Sequence, residues 1–415
     1  MNILMISESG FPLDVRVRQE TLTLAAAGHC ISVVAIGETG EPFHERWKGI
    51  EIYRIRKVEL FRLGKQVRTE EKKGWGRTLT VMIKAVLGYG FEHCYFTTAG
   101  FLLSLWICWR NRIDAVHTHN PPDTLFFIAN FLKLFGKKFV YDHHDLAADL
   151  LLTKYGSKTR PIYRLLLLLE KISCRTADRI IATNRSYRQI EHERCGAAEN
   201  KIFVVRNGPD LKILKPVKPD DAIRNRAKTI LCYLGAINVQ DGVDHLLKIL
   251  DRLVHHLGVK DTCLLVIGDG DFLYRVRELT GQLNLEDQVI FTGYVNDRQR
   301  INQLLSSADI FVDAAPKTFL NDHSTFIKHA EYLVFGKPVI SFALKESMAT
   351  LQKAGVFVEP GNIDQFAHTI VHLIQDQEKR DQMGKFARER VRFLSWEQTS
   401  KPLVELYRHL LPNRR

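Results

Sequence analysis

The 415-residue sequence lacks several short motifs that identify well-known kinds of site. It contains no Walker-type phosphate loop, no Gly-x-Ser-x-Gly elbow and no EF-hand calcium loop. These absences argue against a P-loop nucleotidase, a serine-elbow hydrolase and an EF-hand protein. Gly268-Asp269-Gly270 follows a predicted strand but lacks the third glycine of a dinucleotide fingerprint, so a tight turn is the alternative interpretation.

Cysteine pairs are missing as well. The seven cysteines are scattered without a Cys-x-x-Cys spacing, which gives no zinc framework and favours reduced thiols in a cytosolic protein. The first residues, MNILMIS, lack a positively charged leader, so we expect a first strand and no export. The uncharged run 94–109 is shorter than a usual membrane span, and we predict an amphipathic or buried helix there.

The chain is strongly basic, with a net charge of +12 and a pI of about 9.3. This charge favours a negatively charged partner. Between Arg54 and Arg77, nine Lys or Arg residues accompany three Glu and precede an apolar segment. We interpret this segment either as a patch for an anionic membrane surface or as a solvated loop ahead of a core helix. Nucleic acid is not an expected partner, because the basic residues are not interleaved with aromatic side chains on one periodic face.

Short apolar runs alternate with helical periods along the chain. This alternation is typical of α/β domains with parallel sheets and crossover helices. The length predicts two domains. The turn Asn207-Gly208-Pro209 and the Pro- and Lys-rich stretch Leu214–Pro219 are predicted to link them. The last stretch, Trp396–Leu411, is predicted to be one amphipathic helix.

The stretch Asn321–Pro338 is predicted to begin a helix that faces a ligand. Asp322, Ser324 and Thr325 are residue types that cap the free N–H groups of a first helical turn, which also suits phosphate. Glu331 lies on the otherwise apolar body of this helix. A buried carboxylate needs a cation or bound hydroxyl groups as its partner.

Histidines and acids gather at the ends of two predicted strands, Ala115–His119 and Lys138–Asp142. If the following loops met, these side chains could surround a metal as in a metallohydrolase, although their spacing matches no familiar ligand motif. The residues of that cluster are His117, His119, His143, His144 and Asp145. The alternative is a buried His117 beneath the sheet, with His119 nearer the carboxyl edge where ligands bind.

A series of short motifs runs through nearly the whole chain in a fixed order. They are DVRVRQE with AAAGH, VHTHN, VYDHHD, ADRIIATN, VVRNG, YLGAINVQDGVD, VIGDGD, FTGYV, and NDHSTFIKHAEYLVFGKPVISF with LSWE. Each is weak alone, but together they resemble the retaining glycosyltransferases of family 4.

The resemblance implies the GT-B fold, an α/β architecture in which two Rossmann-like, doubly wound domains face each other across a cleft. Residues 1–208 would form the N-terminal acceptor domain, and residues 209–395 the C-terminal nucleotide-sugar domain. A helix within 396–415 would cross back to the N-terminal domain. The implied enzyme is a cytoplasmic hexosyl- or N-acetylhexosaminyltransferase of polysaccharide or glycolipid synthesis. Because the segment Arg54–Arg77 is basic and precedes an apolar segment, a further hypothesis is that the protein attaches peripherally to the inner face of the membrane.

The resemblance also implies roles for individual residues. Glu331 matches the acid that binds the ribose hydroxyl groups of the donor, and His119 matches a histidine near the reacting centre. Gly10 matches the loop that approaches the diphosphate, while Tyr294 and Val295 match the segment that flanks the base. The donor-binding residues implied in all are Gly10, Arg16, Gly235, Tyr294, Val295, Asp322, His323, Ser324, Thr325 and Glu331.

The sequence departs from the family pattern at two places. The acid expected eight residues before Glu331 is His323 here. The Arg and Lys that usually neutralise the donor diphosphate are replaced by Ala236 and Asp241. We expect Lys328, one turn before Glu331, to take over that role and to be catalytic together with His119.

The implied reaction retains the configuration at the sugar carbon and needs no metal or other cofactor. The departing phosphate oxygen takes the proton of the incoming hydroxyl group, so His119 positions the sugar instead of acting as a strong base. The implied partners are a nucleoside-diphosphate sugar and a glycan or lipid-linked acceptor. A nucleotide-sugar epimerase of the same fold, the metallohydrolase and loss of activity are the alternatives.

Overall fold

The computed structural model of the protein describes residues 1–58, 75–156 and 159–410. The chain divides into two compact units, Met1–Arg206 with Ser400–Arg415, and Asn207–Thr399. In both units strands alternate with helices, as the periodicity predicts. Within the described residues, no helix combines the length and the apolar character that crossing a bilayer requires.

The first unit is built on one sheet. Its strands are β1 (Asn2–Gly10), β2 (Cys30–Gly37), β3 (His44–Trp47), β4 (Ile50–Arg56), β5 (Ala115–His119), β6 (Lys138–His143), β7 (Arg179–Ala182) and β8 (Ile202–Val204). They lie in the order β3-β4-β2-β1-β5-β6-β7-β8, with β3 antiparallel to β4 and the other described pairs parallel. The carboxyl ends of β1, β5 and β6 therefore meet at one edge, which is where α/β sheets bind ligands.

Helices connect these strands. They are α1 (Val15–Ala26), α2 (Trp75–Arg110), α3 (Phe126–Lys133), α4 (Ala147–Tyr155), α5 (Arg160–Thr176) and α6 (Arg185–Glu193). Helix α1 begins after Asp14, whose side chain accepts a hydrogen bond from Arg16 N. Val17, Thr21 and Leu24 recur at helical spacing and are buried against the sheet.

The second unit has a smaller, parallel sheet. Its strands are β9 (Thr229–Leu234), β10 (Thr262–Ile267), β11 (Val289–Gly293), β12 (Ile310–Asp313), β13 (Val339–Phe342) and β14 (Gly355–Val358), in the order β11-β10-β9-β12-β13-β14. Along β9, Leu231 and Tyr233 join one apolar cluster while Ile230 and Cys232 join another. This alternation buries both faces of the sheet, as a doubly wound fold requires.

The helices of the second unit cover those two faces. They are α7 (Asp221–Arg224), α8 (Val243–Asp251), α9 (Leu273–Gln282), α10 (Arg298–Ser306), α11 (Phe319–His323), α12 (Ile327–Val334), α13 (Lys345–Leu351), α14 (Ile363–Gln375), α15 (Gln377–Leu394) and α16 (Trp396–Thr399). The last helix, α17 (Lys401–Leu410), belongs to the first unit and buries Leu403, Leu406, Tyr407 and Leu410. The single helix predicted over Trp396–Leu411 is wrong in that α16 and α17 are separate.

The predicted linker and the predicted basic patch both differ from the structure. Leu214 is buried, and Val217 N donates to Ser306 Oγ at 3.0 Å, so this stretch packs on α10 and is not a free linker. The strands β3 and β4 were not predicted. Arg54 on β4 is buried and paired with Glu45 at 2.8 Å, so its charge is balanced inside the protein. Residues 59–74 of the predicted patch lie outside the described residues.

Candidate functional site

Histidines and acids of the first unit converge at the carboxyl ends of β5 and β6. The register places His119 opposite Asp142, and the two-residue period of a strand puts His117 on the same face as His119. Glu20 reaches this face from α1, and His144 reaches it from the residues after β6. These five side chains, Glu20, His117, His119, Asp142 and His144, are all buried. Aspartate and glutamate are rarely buried unless they are paired.

The side chains of this cluster are in close contact. His119 Nδ1 lies 3.0 Å from Asp142 Oδ2, and His144 Nε2 lies 2.9 Å from the same oxygen. His117 Nε2 lies 3.4 Å from Asp142 Oδ2 and 3.7 Å from Glu20 Oε2. The rings of His117 and His119 stack with their centroids 4.3 Å apart. Asp142 is thus the centre on which three imidazoles meet.

Burial and mutual charge set the protonation of the cluster. Burial, together with the neighbouring His117, lowers the pKa of His119 to about 4, so this ring is neutral at pH 7. Burial raises the pKa of Asp142, but the three imidazoles, His144 foremost, outweigh it and hold the pKa well below its usual range. Burial and the adjacent Asp142 raise the pKa of Glu20 well above its usual range.

Asn120 fixes the two loops that carry these histidines. Its Oδ1 accepts hydrogen bonds from His144 N at 2.6 Å and from Asp145 N at 3.1 Å. Its Nδ2 donates to the carbonyl oxygen of Asp145 at 2.7 Å. One amide side chain after β5 therefore holds the segment after β6 in register with the sheet edge.

The five side chains that the sequence offered as alternative metal ligands do not all meet. His143 points away from the other histidines, and its Nδ1 lies 3.1 Å from Glu191 Oε1. Burial lowers the pKa of His143, but Glu191 outweighs it and raises the pKa to about 9. Asp145 is half exposed, and its Oδ2 lies 3.9 Å from Arg16 Nη1. The acids that do lie beside His117 and His119 are Glu20 and Asp142.

Arg16 and Gly10 lie near the same edge of the first sheet. Arg16 Nη2 forms an ion pair with Asp14 Oδ2 at 3.2 Å. Gly10 ends β1, and among the described residues an added Cβ there would meet Leu13 Cδ1 alone, at 3.9 Å. The backbone at Gly10 is therefore open on that side.

In the second unit, Lys328 and His329 share one aspartate. Lys328 Nζ lies 3.1 Å from Asp313 Oδ1, and His329 Nε2 lies 2.7 Å from Asp313 Oδ2. The ammonium group of Lys328 also lies over the ring of Tyr233, 4.3 Å from its centroid. Burial lowers the pKa of Lys328, but nearby groups, Asp313 first, outweigh it and raise the pKa. Lys328 is therefore a permanently charged, buried cation.

Lys328 also reaches the loop that follows β9. An added Cβ at Gly235 would lie 3.6 Å from Lys328 Cδ, and Gly235 has a φ of +150°, which favours glycine. Asp241, at the other end of this loop, is among the charges that raise the pKa of Lys328. Lys328 thus lies beside the loop that contains Ala236 and Asp241.

The helix start predicted at Asn321–Pro338 is wrong in its details. Asp322 and His323 belong to the short helix α11, which Thr318 caps, while α12 begins after Phe326 without a side-chain cap. Asp322 Oδ1 instead accepts a hydrogen bond from Lys345 N at 2.9 Å. Thr318 and Asp322 thus hold α11 and the start of α13.

The remaining predicted donor residues lie around this segment. His323 Nδ1 lies 2.8 Å from the carbonyl oxygen of Phe319, and Ser324 and Thr325 connect α11 to α12. Glu331 is half buried on α12, and burial raises its pKa while Arg298 opposes the shift. Tyr294, just after β11, is 76% exposed, and Val295 beside it is partly buried. The tyrosine ring is therefore open to a ligand.

Gly268-Asp269-Gly270 lies in the loop after β10, and the turn itself comes next, where Leu273 N donates to the carbonyl oxygen of Gly270 at 3.2 Å. An added Cβ at Gly268 would overlap the carbonyl oxygen of Gly235, and one at Gly270 would overlap that of Ile237. The glycines therefore allow two loops of the second sheet to approach each other. Asp269 Oδ1 accepts a hydrogen bond from Gly270 N within this loop.

Several residues of both sites were missed in the sequence. Glu20 and Tyr407 lie on the buried, mainly apolar faces of their helices, so the sequence pattern does not distinguish them from core residues. Tyr407 Oη lies 3.0 Å from His117 Nδ1. Asp142 and Asp313 had a usable signal, because each is an acid at the carboxyl end of an apolar strand.

Two families match the chain, one after the other. The family described as "Glycosyltransferase Family 4" matches residues 14–213, and "Glycosyl transferases group 1" matches residues 217–390. Together the two matches cover most of both units.

Characterised and uncharacterised relatives carry the same kind of description. The "Uncharacterized glycosyltransferase MJ1607" of Methanocaldococcus jannaschii is 21% identical over 403 residues, which span 93% of this chain and 91% of that protein. The "GDP-mannose-dependent alpha-(1-6)-phosphatidylinositol dimannoside mannosyltransferase" of Mycobacterium tuberculosis is 26% identical over 55% of this chain and 56% of its own length.

Solved structures share the fold of the whole chain. Sucrose-phosphate synthase from Thermosynechococcus elongatus superposes with a TM-score of 0.72 at 20% identity, covering 99% of both chains. Anabaena Alr3699/HepE in complex with UDP-glucose superposes with a TM-score of 0.67 at 14% identity, covering 99% of this chain and 100% of that one.

The two α/β units and these matches define the class of the protein as a glycosyltransferase of the GT-B fold, an enzyme that transfers sugars. Within that class, the chain belongs to glycosyltransferase family 4. The predicted fold class and the predicted family are therefore confirmed.

Proposed function

We propose that the protein is a retaining glycosyltransferase that uses a nucleoside-diphosphate sugar and needs no metal at the diphosphate. The observation that carries this proposal is the position of Lys328. Its buried ammonium group lies beside the loop after β9, where the family usually supplies an Arg and a Lys and this chain has Ala236 and Asp241. A fixed cation there could stabilise the charge that develops on the leaving diphosphate.

Glu331 is proposed to bind the ribose. It is half buried on α12, three residues after Lys328, and its carboxylate is not part of the Asp313 pair. Two ribose hydroxyl groups would satisfy such a carboxylate by hydrogen bonding. Tyr294, which is largely exposed after β11, is proposed to flank the base.

The proposed reaction breaks the bond between the sugar carbon and the phosphate oxygen and forms a bond from the acceptor oxygen on the same face. The acceptor proton passes to the departing phosphate oxygen, so the protein need not supply a strong base. His119, neutral at pH 7, is proposed to donate or accept a hydrogen bond to the transferred sugar and to position it.

A donor screen tests the binding half of this proposal. UDP-, GDP- and ADP-sugars are added to the purified protein, and the thermal midpoint is followed. A ligand that binds the native state raises the midpoint with its affinity, and we expect one base to be preferred. The Glu331→Ala variant should lose that shift, and Glu359→Ala, an exposed acid outside α12, should keep it. Absence of a shift with every donor contradicts the proposal.

A product analysis tests the chemistry. With the preferred donor and an acceptor mixture, NMR of the product should show the anomeric configuration of the donor, and added Mg²⁺ or Mn²⁺ should not change the rate. An inverted anomer rules out retention. Conversion of the donor to a different free nucleotide sugar without an acceptor would identify an epimerase instead.

The proposed acceptor is a glycan or a lipid-linked molecule. Apolar side chains are exposed on α3 and α5, which pack against each other: Phe127 is 55% exposed, and Leu165 and Leu168 are 53% and 52% exposed. Arg164 is exposed beside them on α5. Apolar side chains next to Arg are what an anionic lipid surface binds.

Sedimentation with liposomes tests this surface. The protein should sediment with anionic vesicles at low salt and less with neutral vesicles. The double variant Leu165→Gln/Leu168→Gln should bind less. Phe393→Gln, which removes a similarly exposed apolar side chain from the second unit, should bind as the wild type does. Lack of sedimentation at low salt removes membrane attachment from the proposal.

A further inference from the structure

Four buried side chains at the carboxyl edge of the first sheet have the arrangement of metal ligands. Glu20, His117, His119 and Asp142 each offer one ligand atom, and these atoms all lie within 4.8 Å of one another. They come from α1, β5 and β6, so one ion would join three elements. We propose that these four residues bind a single transition-metal ion, with Zn²⁺ as the favoured metal.

The distances between the ligand atoms fit such an ion. A tetrahedral Zn²⁺ with bonds of about 2.0–2.1 Å separates its ligand atoms by roughly 3.3 Å. His119 Nδ1 and His117 Nε2 lie 3.0 and 3.4 Å from Asp142 Oδ2, and His117 Nε2 lies 3.7 Å from Glu20 Oε2. Small side-chain rotations would therefore complete the coordination shell.

The hydrogen bonds of the cluster are incomplete. Among the described residues, neither Asp142 oxygen has a hydrogen-bond partner, nor has Glu20 Oε2 or His117 Nε2, although all three residues are at most 1% exposed. Buried polar atoms without partners are costly and rare. The fourth ligand atom, His119 Nδ1, lies 3.2 Å from His144 Nε2, a hydrogen bond that coordination of an ion would replace.

The chemistry of the ligands selects the metal. Two imidazole nitrogens with two carboxylates suit Zn²⁺ or a neighbouring transition metal, whereas Mg²⁺ and Ca²⁺ prefer oxygen ligands alone. The two carboxylates offset the charge of a divalent ion. Tyr407 Oη, 3.0 Å from His117 Nδ1, would supply the outer hydrogen bond that orients a histidine ligand.

Such an ion would also determine which ring nitrogen of His119 carries the proton. Coordination through Nδ1 leaves the ring proton on Nε2, an atom that has no partner among the described residues. His119 would then act only as a hydrogen-bond donor. The ion is therefore structural and orienting, and it is distinct from a metal bound to the donor diphosphate.

The test measures metal content and needs no sugar donor, so its outcome is independent of the proposed reaction. The full chain is purified without an affinity tag after growth with Zn²⁺, passed through gel filtration and analysed for metals. We expect about one Zn²⁺ per chain in the wild type, and less than about a tenth of that in Asp142→Asn. Glu20→Gln, which keeps the side-chain shape, is a second variant for the case that Asp142→Asn does not fold.

The matched control is His143→Gln. His143 is as buried as His117 and adjoins Asp142, but it pairs with Glu191 and is not one of the four ligands. This variant should retain the ion. Replacement by Co²⁺ should give the visible absorption of a tetrahedral site in the wild type and not in Glu20→Gln. Folded wild-type protein that holds neither Zn²⁺ nor Co²⁺, or equal metal content in all variants, overturns the proposal.

Discussion

Each unit places a buried aspartate at the carboxyl end of a central strand, and the two aspartates have different neighbours. Asp313 at the end of β12 is paired with Lys328 and His329, which are consecutive on α12. Asp142, near the end of β6, is surrounded by histidines from two strand ends and adjoins the acid Glu20.

The difference lies in how the charge of the aspartate is balanced. In the second unit Lys328 carries a permanent charge, and burial, with Lys328 adding to it, lowers the pKa of His329, so the group as a whole is nearly neutral. In the first unit the neighbours of Asp142 are imidazoles and the acid Glu20, and the lowered pKa of His119 makes that ring neutral at pH 7. The second unit thus has a fixed cation beside its aspartate, whereas the first surrounds its aspartate with histidines and a second acid.

The largest effect is expected from removing the fixed cation. Lys328→Met should lower kcat by about 10²–10³-fold if Lys328 stabilises the leaving group. It should also destabilise the protein by roughly 3–5 kcal/mol, because Asp313 stays buried without its cation. Steady-state kinetics and denaturant unfolding measure the two effects separately.

A double variant separates catalysis from folding. Lys328→Met/Asp313→Asn removes both charges and should regain most of the stability while kcat remains low. Wild-type turnover in either variant contradicts the assignment of Lys328 to the diphosphate.

The next effect concerns the neutral histidine of the first unit. His119→Gln should lower kcat by about 10²-fold, because the transferred sugar loses a positioning group. The control is His143→Gln, which replaces an equally buried histidine on the opposite face of the sheet. It should change stability and leave kcat within about twofold. Equal losses of kcat in the two variants would show that burial, and not contact with the sugar, explains the result.

A third carboxylate, that of Asp14, tests how much an ion pair with Arg16 stabilises the folded protein. Burial raises the pKa of Asp14, but Arg16 outweighs it and lowers the pKa from 3.8 to about 2. The pairing therefore stabilises the folded state by roughly 2 kcal/mol above about pH 4, and this stabilisation is lost as the pH falls toward 2.

The Asp14→Asn variant keeps a helix-capping side chain and removes the charge. We expect it to be less stable than the wild type at pH 7, with a difference in unfolding free energy that shrinks between pH 4 and pH 3. A difference that does not depend on pH would contradict the pairing and point to the cap.

The smallest effect compares one tyrosine hydroxyl group in each unit. Tyr407→Phe leaves His117 Nδ1 without its partner, and Tyr332→Phe leaves Leu234 N without its acceptor at 2.8 Å. Each should cost about 1 kcal/mol of unfolding free energy. A much larger loss for Tyr407→Phe in Zn²⁺-loaded protein than in metal-free protein would link that hydroxyl group to the proposed ion.

Much of the fold follows from local pattern. The strand Ala115–His119 has the predicted bounds, and the strand predicted over Lys138–Asp142 runs one residue further, because continuous apolar runs bounded by polar turns are short-range signals. The hairpin β3–β4 was missed because its strands, HERW and IEIYRIR, carry charges. Arg54 among them is balanced by acids that only the folded chain brings near.

The helix at Asn321–Pro338 shows where local pattern stops. Gly336, with φ +62°, follows the last turn of this helix in the left-handed conformation that favours glycine. The start of the helix differs from the prediction, because Thr318 caps an extra turn, α11, and Asp322 bonds to the start of α13. Capping residues are common in this stretch, and tertiary contacts decide which of them cap a helix.

The sequence by itself determined the alternation of strands and helices, the family and the positions of the histidines at the ends of β5 and β6. Those features depend on residues close together in the chain. Only the tertiary structure decided which side chains meet: His117 and Tyr407 are 290 positions apart, and Lys328 pairs with Asp313 although the short helix α11 lies between them in the chain. Contacts of that kind depend on packing and burial, which no local pattern specifies.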